Sequence, residues 1–359
     1  MTTDTTFDSA RPPASALSPG VEQELVERLL SGVSRTFALT IPQLPKDLMR
    51  VVSVAYLLCR IVDTIEDEPA LSIGAKRRFC KLFVGAVGGM ADAEPLSTEL
   101  APLLSRHTLP AEHELIRQIP RVVGIVRRFS RSQQSALTDC VAIMSEGMVE
   151  FQAHADRGGL ADLAALDRYC YHVAGVVGEM LTRLFCEHSP AIDRNREELM
   201  SLAVSFGQGL QMTNILKDMW EDLERGACWL PRSVFAEAGF DVGALSRDRY
   251  DDSFGRGLAR LIAIAHGHLR DALRYTLLVP PSETGIRNFC LWAIGMALLT
   301  LRKIDRHRDF RRGDQVKISR ASVRATVVAS RLVASHDAGV RALFHLASRG
   351  LPALPRDTF

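Results

Sequence analysis

Two short stretches of the chain carry the same acidic pattern. Asp63-Thr64-Ile65-Glu66-Asp67 and Asp218-Met219-Trp220-Glu221-Asp222 each place an Asp, a Glu three positions on and a second Asp four positions on. A cation precedes each, Arg60 in one case and Lys217 in the other. On a helix these carboxylates share a face with Cβ atoms about 5–6 Å apart, and like charges at that spacing destabilise the helix. A solvated surface tolerates that cost, so exposure is the plain alternative for either stretch alone. The flanks argue otherwise. They are mostly Val, Leu, Ile, Ala, Phe and Met, and polar residues extend each motif along one stripe: Tyr56, Arg60, Asp63 and Asp67 in the first, Gln211, Asn214, Asp218 and Asp222 in the second. Carboxylates buried together stay ionised only with a cation nearby. Two such clusters facing each other suit Mg2+, which takes one or two carboxylates and completes its shell with water and phosphate oxygens. No His or Cys joins either motif, which disfavours zinc. The pattern predicts a cavity with acidic walls that grips a diphosphate through bridging Mg2+ and helps that group leave.

The elements that must hold these stretches are helices. Leu48, Val51, Val52, Ala55, Leu58, Cys59 and Val62 recur at helical spacing. Comparable periodicity covers roughly 74–89, 113–154, 163–187, 194–225, 252–278, 284–305 and 319–347, with prolines at the joints and few strand-like alternations. The expectation is one all-α domain of about a dozen helices over 21–350, preceded by a Thr-, Ser- and Pro-rich tail, 1–20, of disordered composition. The 359 residues, 47% of them hydrophobic, can bury a large core. A net charge of +2 without a Lys/Arg run argues against a nucleic-acid partner. Seven scattered cysteines without a C-x-x-C indicate neither a disulfide frame nor a zinc site and fit a reducing cytoplasm. Residues 1–20 lack the apolar core of a secretory signal. The longest apolar run, Phe289 to Leu299, falls short of the about 20 residues that span a bilayer. A cytoplasmic protein, peripheral at most to a membrane surface, is expected.

Taken together, the motifs resemble the squalene/phytoene synthase family. SRTFA (34–38), YLLCRIVDTIED (56–67), YCYHVAGVVG (169–178) and QMTNILKDMWEDLERGACWLP (211–231) stand in the family's order, and the resemblance runs from Ser34 to about Arg324. It implies an all-α isoprenoid-synthase fold with a central cavity, in which a transferase condenses two farnesyl diphosphates to a cyclopropyl diphosphate and then rearranges it. In the squalene-forming members NADPH delivers a hydride during that second step. By the same resemblance, Asp63, Glu66 and Asp67 match the first Mg2+ motif, and Asp218, Glu221 and Asp222 the second. Ser34, Arg35, Arg60, Gln211, Asn214 and Lys217 match positions at or beside the diphosphate. Tyr169 matches the tyrosine that accepts the proton lost as the first carbocation collapses. Lys217 replaces the family's usual Arg, which keeps the charge and loses the bidentate fork.

The C-terminal third bears on the branch. IRNFCLWAIGMALLTL (286–301) and RRGDQVKISRASVRAT (311–326) are more similar to the squalene-forming members, which serve hopanoid or sterol synthesis. Lys317 matches the lysine of a basic loop linked there to NADPH. Ser319 stands where a second basic residue is expected, with Arg320 beside it, and Arg35, Arg60 and Lys217 are further candidates for the cofactor phosphates. No G-x-G-x-x-G follows a strand. The rivals are a dehydrosqualene or phytoene synthase without the hydride step, and an inactive scaffold relative, which the retained acids and Tyr169 disfavour. The resemblance implies no obligate protein partner, and the LPALPRDTF end has no hydrophobic anchor. Trp220 and Trp229 read as packing residues rather than cation-π walls, His172 as structural or a support behind the site, and Glu224 with Arg225 as a helix-end ion pair, with Arg225 helping to close the site as the alternative. Phe37, Phe206, Phe289 and Met212 fit a core or the wall of an apolar tunnel equally.

Overall fold

Prolines set the ends of the helix that carries the first motif. It runs over Lys46–Asp67 (α1), starting just after Pro45. It stops because Glu68, lying before Pro69, is driven into extended backbone at φ −69° and ψ 112°. The acids therefore occupy the last turn, at the negative end of the helix dipole, where carboxylates are unfavourable. The structure, a computed structural model, describes residues 19–34, 37–154 and 156–354. Arg35 and most of the N-terminal tail lie outside the described residues. The described chain is all helical apart from turns and one parallel bridge, Leu160 to Pro231.

After α1 the helices that matter for the site are Ile73–Val87 (α2), Pro110–Arg117 (α3), Arg131–His154 (α4), Val176–His188 (α5) and Arg196–Glu224 (α6). They are followed by Asp252–Leu278 (α7), Thr284–Arg306 (α8), Arg320–Val333 (α9) and Asp337–Ser348 (α10). The region read as one helix over 113–154 is three, because Pro120 and Ser130 each start a new one. Ser130 Oγ accepts from the Gln133 N–H at 3.1 Å and Gln133 Oε1 accepts from the Ser130 N–H at 3.2 Å, a reciprocal cap. The periodic stretch 319–347 likewise divides into α9 and α10. Helices at Pro19–Val33 and Ala93–Leu100 were not singled out by periodicity.

Between Leu163–Cys170 and α5 lies a wide π-type turn, Tyr171–Gly175. Such turns insert one extra residue and are frequent at functional sites. Here the turn keeps Tyr169, Val173, Val177 and Leu181, spaced by four, on one cavity wall. Next to it α5 and α6 approach closely. A Cβ at Gly178 would fall 2.2 Å from the Ala203 carbonyl oxygen, and one at Gly207 would fall 2.2 Å from that of Ala174.

Two buried clusters form the core. One joins residues such as Leu25, Leu57, Phe83, Leu137 and Phe185. The other joins Leu216, Phe235, Leu258, Leu298 and Phe344. Fully buried side chains of this size each contribute about 1.5–3 kcal/mol. Phe206 on α6 packs against both clusters, and the cavity described below lies where they meet. The 23-residue α8 is long and apolar enough to cross a membrane, unlike the shorter run read from sequence, but 67% of its most apolar window is buried inside the protein. Its Arg287 is fully buried and donates to the Val279 carbonyl at 2.8 Å, the Ala334 carbonyl at 3.0 Å and Asp337 at 2.7 Å. All seven cysteines are buried and unpaired.

Candidate active site

The ends of α1 and α6 open on one cavity of ≈ 1260 Å³. Asp63, Glu66 and Asp67 line it from α1; Gln211, Asn214, Lys217, Asp218 and Asp222 line it from α6. Both motifs are thus brought together at a shared polar end. Away from it the walls turn apolar through Phe37, Ile41, Met144, Phe185, Phe206, Leu210 and Phe289. Three of the four residues that fit core or tunnel equally therefore face the cavity, and Met212 is core at 1% exposure.

Among the described residues, six carboxylates line the polar end, those of Asp63, Glu66, Asp67, Glu112, Asp218 and Asp222, against four basic side chains, Arg60, Lys76, Lys217 and Arg225. The imbalance shows in the acidities. Burial pushes Asp63 up to about 7; Arg60 opposes the shift and Asp67 adds to it. Burial also raises Asp222 to about 6, with Arg225 opposing and Asp218 and Asp67 adding. Glu66 and Asp67 are raised by burial as well, Glu66 further by Asp67 and Asp63. Asp67 acting on Asp222 is an interaction between the two motifs. Among the described residues no three His, Cys, Asp or Glu side chains converge tightly enough to enclose a metal by themselves. An oxygen-rich set with an excess of carboxylate and open coordination fits Mg2+, which leaves room for water and a phosphate ligand.

The cations are held by the acids. Arg60 lies 3.5 Å from Asp63 and pairs with Glu112 on α3, and its buried Nε has no hydrogen-bond partner. Lys217 Nζ lies 3.1 Å from Asp218 and 3.4 Å from Asn214 Oδ1. Arg225 pairs with Asp222 at 2.8 Å. Glu224 turns instead to Arg247, so the ion pair expected between Glu224 and Arg225 does not form, and Arg225 belongs to the cavity. Lys76 on α2 is buried and donates to the Glu66 carbonyl. Sequence reasoning missed Lys76 and Glu112; neither lies at a helical interval from a motif.

Tyr169 lines the cavity with its ring stacked on Trp229, centroids 4.1 Å apart and planes 8° from parallel. Burial, then Glu66 and Asp222, push its phenol well above the ordinary value, so it stays protonated at neutral pH. Trp220, by contrast, is core and donates its indole N–H to the Phe310 carbonyl at 2.7 Å. His172 hydrogen-bonds the Arg168 carbonyl at 2.8 Å, inside the wide turn.

Other sequence-predicted residues stand apart from the cavity lining. Glu221 is turned toward the neighbouring segment, where its Oε1 accepts from the Gly313 N–H at 2.9 Å and its buried Oε2 has no partner. Ser34 Oγ accepts from the Phe37 N–H at 2.9 Å, so it backs a lining residue. Lys317 and Arg320 are exposed. Ser319 caps α9, accepting from the Ser322 N–H at 3.1 Å, which gives the unexpected serine a structural task. The same segment touches the second motif through Gly313, whose added Cβ would fall 2.9 Å from the Lys217 carbonyl oxygen and 3.2 Å from Asp218 Oδ1.

The family model for squalene/phytoene synthases matches residues 30–322. The chain belongs to the squalene/phytoene synthase family. Among this family's curated members, the squalene synthase of Gibberella zeae is 27% identical over 310 residues, 83% of this chain and 62% of that protein. The squalene synthase of Yarrowia lipolytica is 28% identical over 323 residues, 88% of this chain and 68% of that protein. The chain thus spans about two thirds of their length. A solved structure of TcSQS with the ligand E5700 superposes with a TM-score of 0.69 at 22% identity, covering 91% of this chain and 97% of that one. A dehydrosqualene synthase in complex with ligand gives 0.66 at 17% identity, covering 87% and 96%. At these identities the likeness speaks for the fold, the all-α isoprenoid-synthase fold.

Proposed function

We propose that this family member is a squalene synthase, which condenses two farnesyl diphosphates head to head and reductively rearranges the cyclopropyl diphosphate to squalene. One observation carries the reading: carboxylate motifs from two helices share the polar end of a cavity that is otherwise apolar. At ≈ 1260 Å³ the cavity exceeds the about 300–1,000 Å³ of a single drug-sized site, as two long chains require. The squalene synthases among the relatives support the same activity.

Asp63, Asp67, Asp218 and Asp222, with Glu66 beside them, are the residues that would hold divalent cations; Glu221 supports the second motif from behind. Bound Mg2+ would supply the Lewis-acid pull on the departing diphosphate. Arg60, Lys217 and Arg225 can exchange their carboxylate partners for phosphate oxygens, and Gln211 and Asn214 add neutral hydrogen bonds. Ser34 and Arg35 complete the proposed diphosphate set. The apolar walls bind the prenyl chains and keep water from the carbocations. Tyr169, held neutral, is a poor base on its own; its oxygen can pass the proton lost from the first carbocation to the leaving diphosphate. NADPH would supply the hydride of the second half-reaction, with Lys317, Arg320, Arg35, Arg60 and Lys217 as the cations for its phosphates. A product formed without that hydride, dehydrosqualene, is the second reading, favoured by Ser319 being committed to a helix cap. A lipophilic substrate and product would draw the protein to a membrane surface without a protein partner.

Purified protein supplied with farnesyl diphosphate and Mg2+, with and without NADPH, tests the proposal by the hydrocarbon formed. Squalene that requires NADPH is expected. Dehydrosqualene regardless of NADPH would move the assignment to the second reading, and no condensed product would end both.

A further inference from the structure

Glu68 follows the first acidic motif directly but stands outside it. Its side chain is only 1% exposed. A carboxylate so buried is costly unless donors surround it, and three do. Oε1 accepts from the Ala70 N–H at 2.8 Å. Oε2 accepts from the Ser105 N–H at 2.8 Å and the Thr108 hydroxyl at 2.6 Å.

Two of these donors belong to the loop 104–109, which runs along the cavity edge. His107, Thr108 and Leu109 line the cavity, and two of them are also exposed, His107 and, at 57%, Leu109. The loop therefore stands at the cavity rim, a partition where the polar end meets solvent. Its far end is tied by the Leu109 N–H, which donates to Glu112 Oε2 at 3.0 Å. Its near end has Glu68, one residue from Asp67.

We infer that Glu68 is a positioning residue that fastens the 104–109 partition to the end of α1 and so keeps water out while a carbocation exists. The inference rests on the activity proposed above. With the partition loose, a water oxygen bonds to the allylic carbon, releases a proton and gives a farnesyl alcohol. The carbon–carbon bond to the second substrate does not then form.

The test uses Glu68→Gln and Thr108→Val in the full chain with farnesyl diphosphate and Mg2+, reading alcohol as a share of all products. The glutamine keeps the size but turns an N–H group toward donors; the valine deletes one bond only. Glu22→Gln is the control, another buried carboxylate, which pairs with Arg50 and Arg128 away from the cavity. The alcohol share should rise several-fold in Glu68→Gln, less in Thr108→Val, and not at all in Glu22→Gln, although the control loses thermal stability. Shares equal to wild type in both loop variants overturn the inference, and if Glu68→Gln does not fold, Thr108→Val decides. Wild-type protein that forms no condensed product instead refutes the assigned activity. Amide exchange at 105–109 reads the fastening without turnover: it should quicken in Glu68→Gln, and unchanged protection overturns the inference whatever the products.

Discussion

Asp63 and Asp222 are destabilising where they stand. Each is half-buried, near like charges and close to the C-terminal end of its helix. Carboxylates whose folded pKa is raised keep protons that the unfolded chain has released, so stability falls as pH climbs from the unfolded value toward the folded one. With Asp222 near 6 and Asp63 near 7, metal-free protein should lose thermal stability between about pH 4 and pH 7 from these groups. Because cation binding needs the deprotonated acids, the Tm gained on adding Mg2+ should be larger at pH 8 than at pH 5.5. Melting curves in chelator and in Mg2+ across that range check both signs. Asp63→Asn and Asp218→Asn should each cut turnover by at least about 10²–10³-fold, the scale for removing a principal electrostatic partner of the transition state. Neither should lower the metal-free Tm, which thermal melts report directly. The Asp pairs were legible in sequence because an interval of four on a helix fixes a common face. Lys76, Glu112 and the Tyr169–Trp229 stack were not, because tertiary packing alone brings them to the site. Glu221 shows the limit of the interval argument: three positions from Asp218, it faces Gly313 and not the cavity.

At the level of elements, the acidic helices were readable from periodicity and from Pro45 and Pro69. The division of 113–154 was harder, since apolar residues continue at helical spacing through both breaks and only Pro120 and the Ser130–Gln133 cap mark them. The wide turn 171–175 leaves no compositional mark. Ser319 was read as a departure within a basic loop, and its bond to the Ser322 N–H explains it as a cap. Ser319→Ala should therefore cost about 1 kcal/mol of stability. It should leave the NADPH concentration needed for half-maximal squalene formation unchanged, and a marked rise in that concentration would give the serine hydroxyl a cofactor contact instead.

Across the whole molecule, the two core clusters meet around the cavity, and the contacts of α6 with α5 at Gly178 and with the wide turn at Gly207 set how close its walls stand. No sequence pattern separates a tunnel wall from a core, because both are apolar at helical spacing; Phe206 and Met212 read alike and ended in different places. Gly207→Ala would push against the Ala174 carbonyl and should cost about 1–3 kcal/mol through overpacking. Turnover should fall with it, since the displaced segment carries Val173 and Val177 of the cavity wall.

The central claim is that the two carboxylate motifs make one site for a prenyl diphosphate. Calorimetric titration of an unreactive farnesyl thiodiphosphate into wild type, Asp63→Asn and Asp218→Asn, with and without Mg2+, tests it most directly. Wild-type binding should depend on Mg2+, and each single substitution should weaken it by at least about tenfold. A variant that keeps the wild-type, Mg2+-dependent affinity would show that its motif lies outside the site and contradict the account.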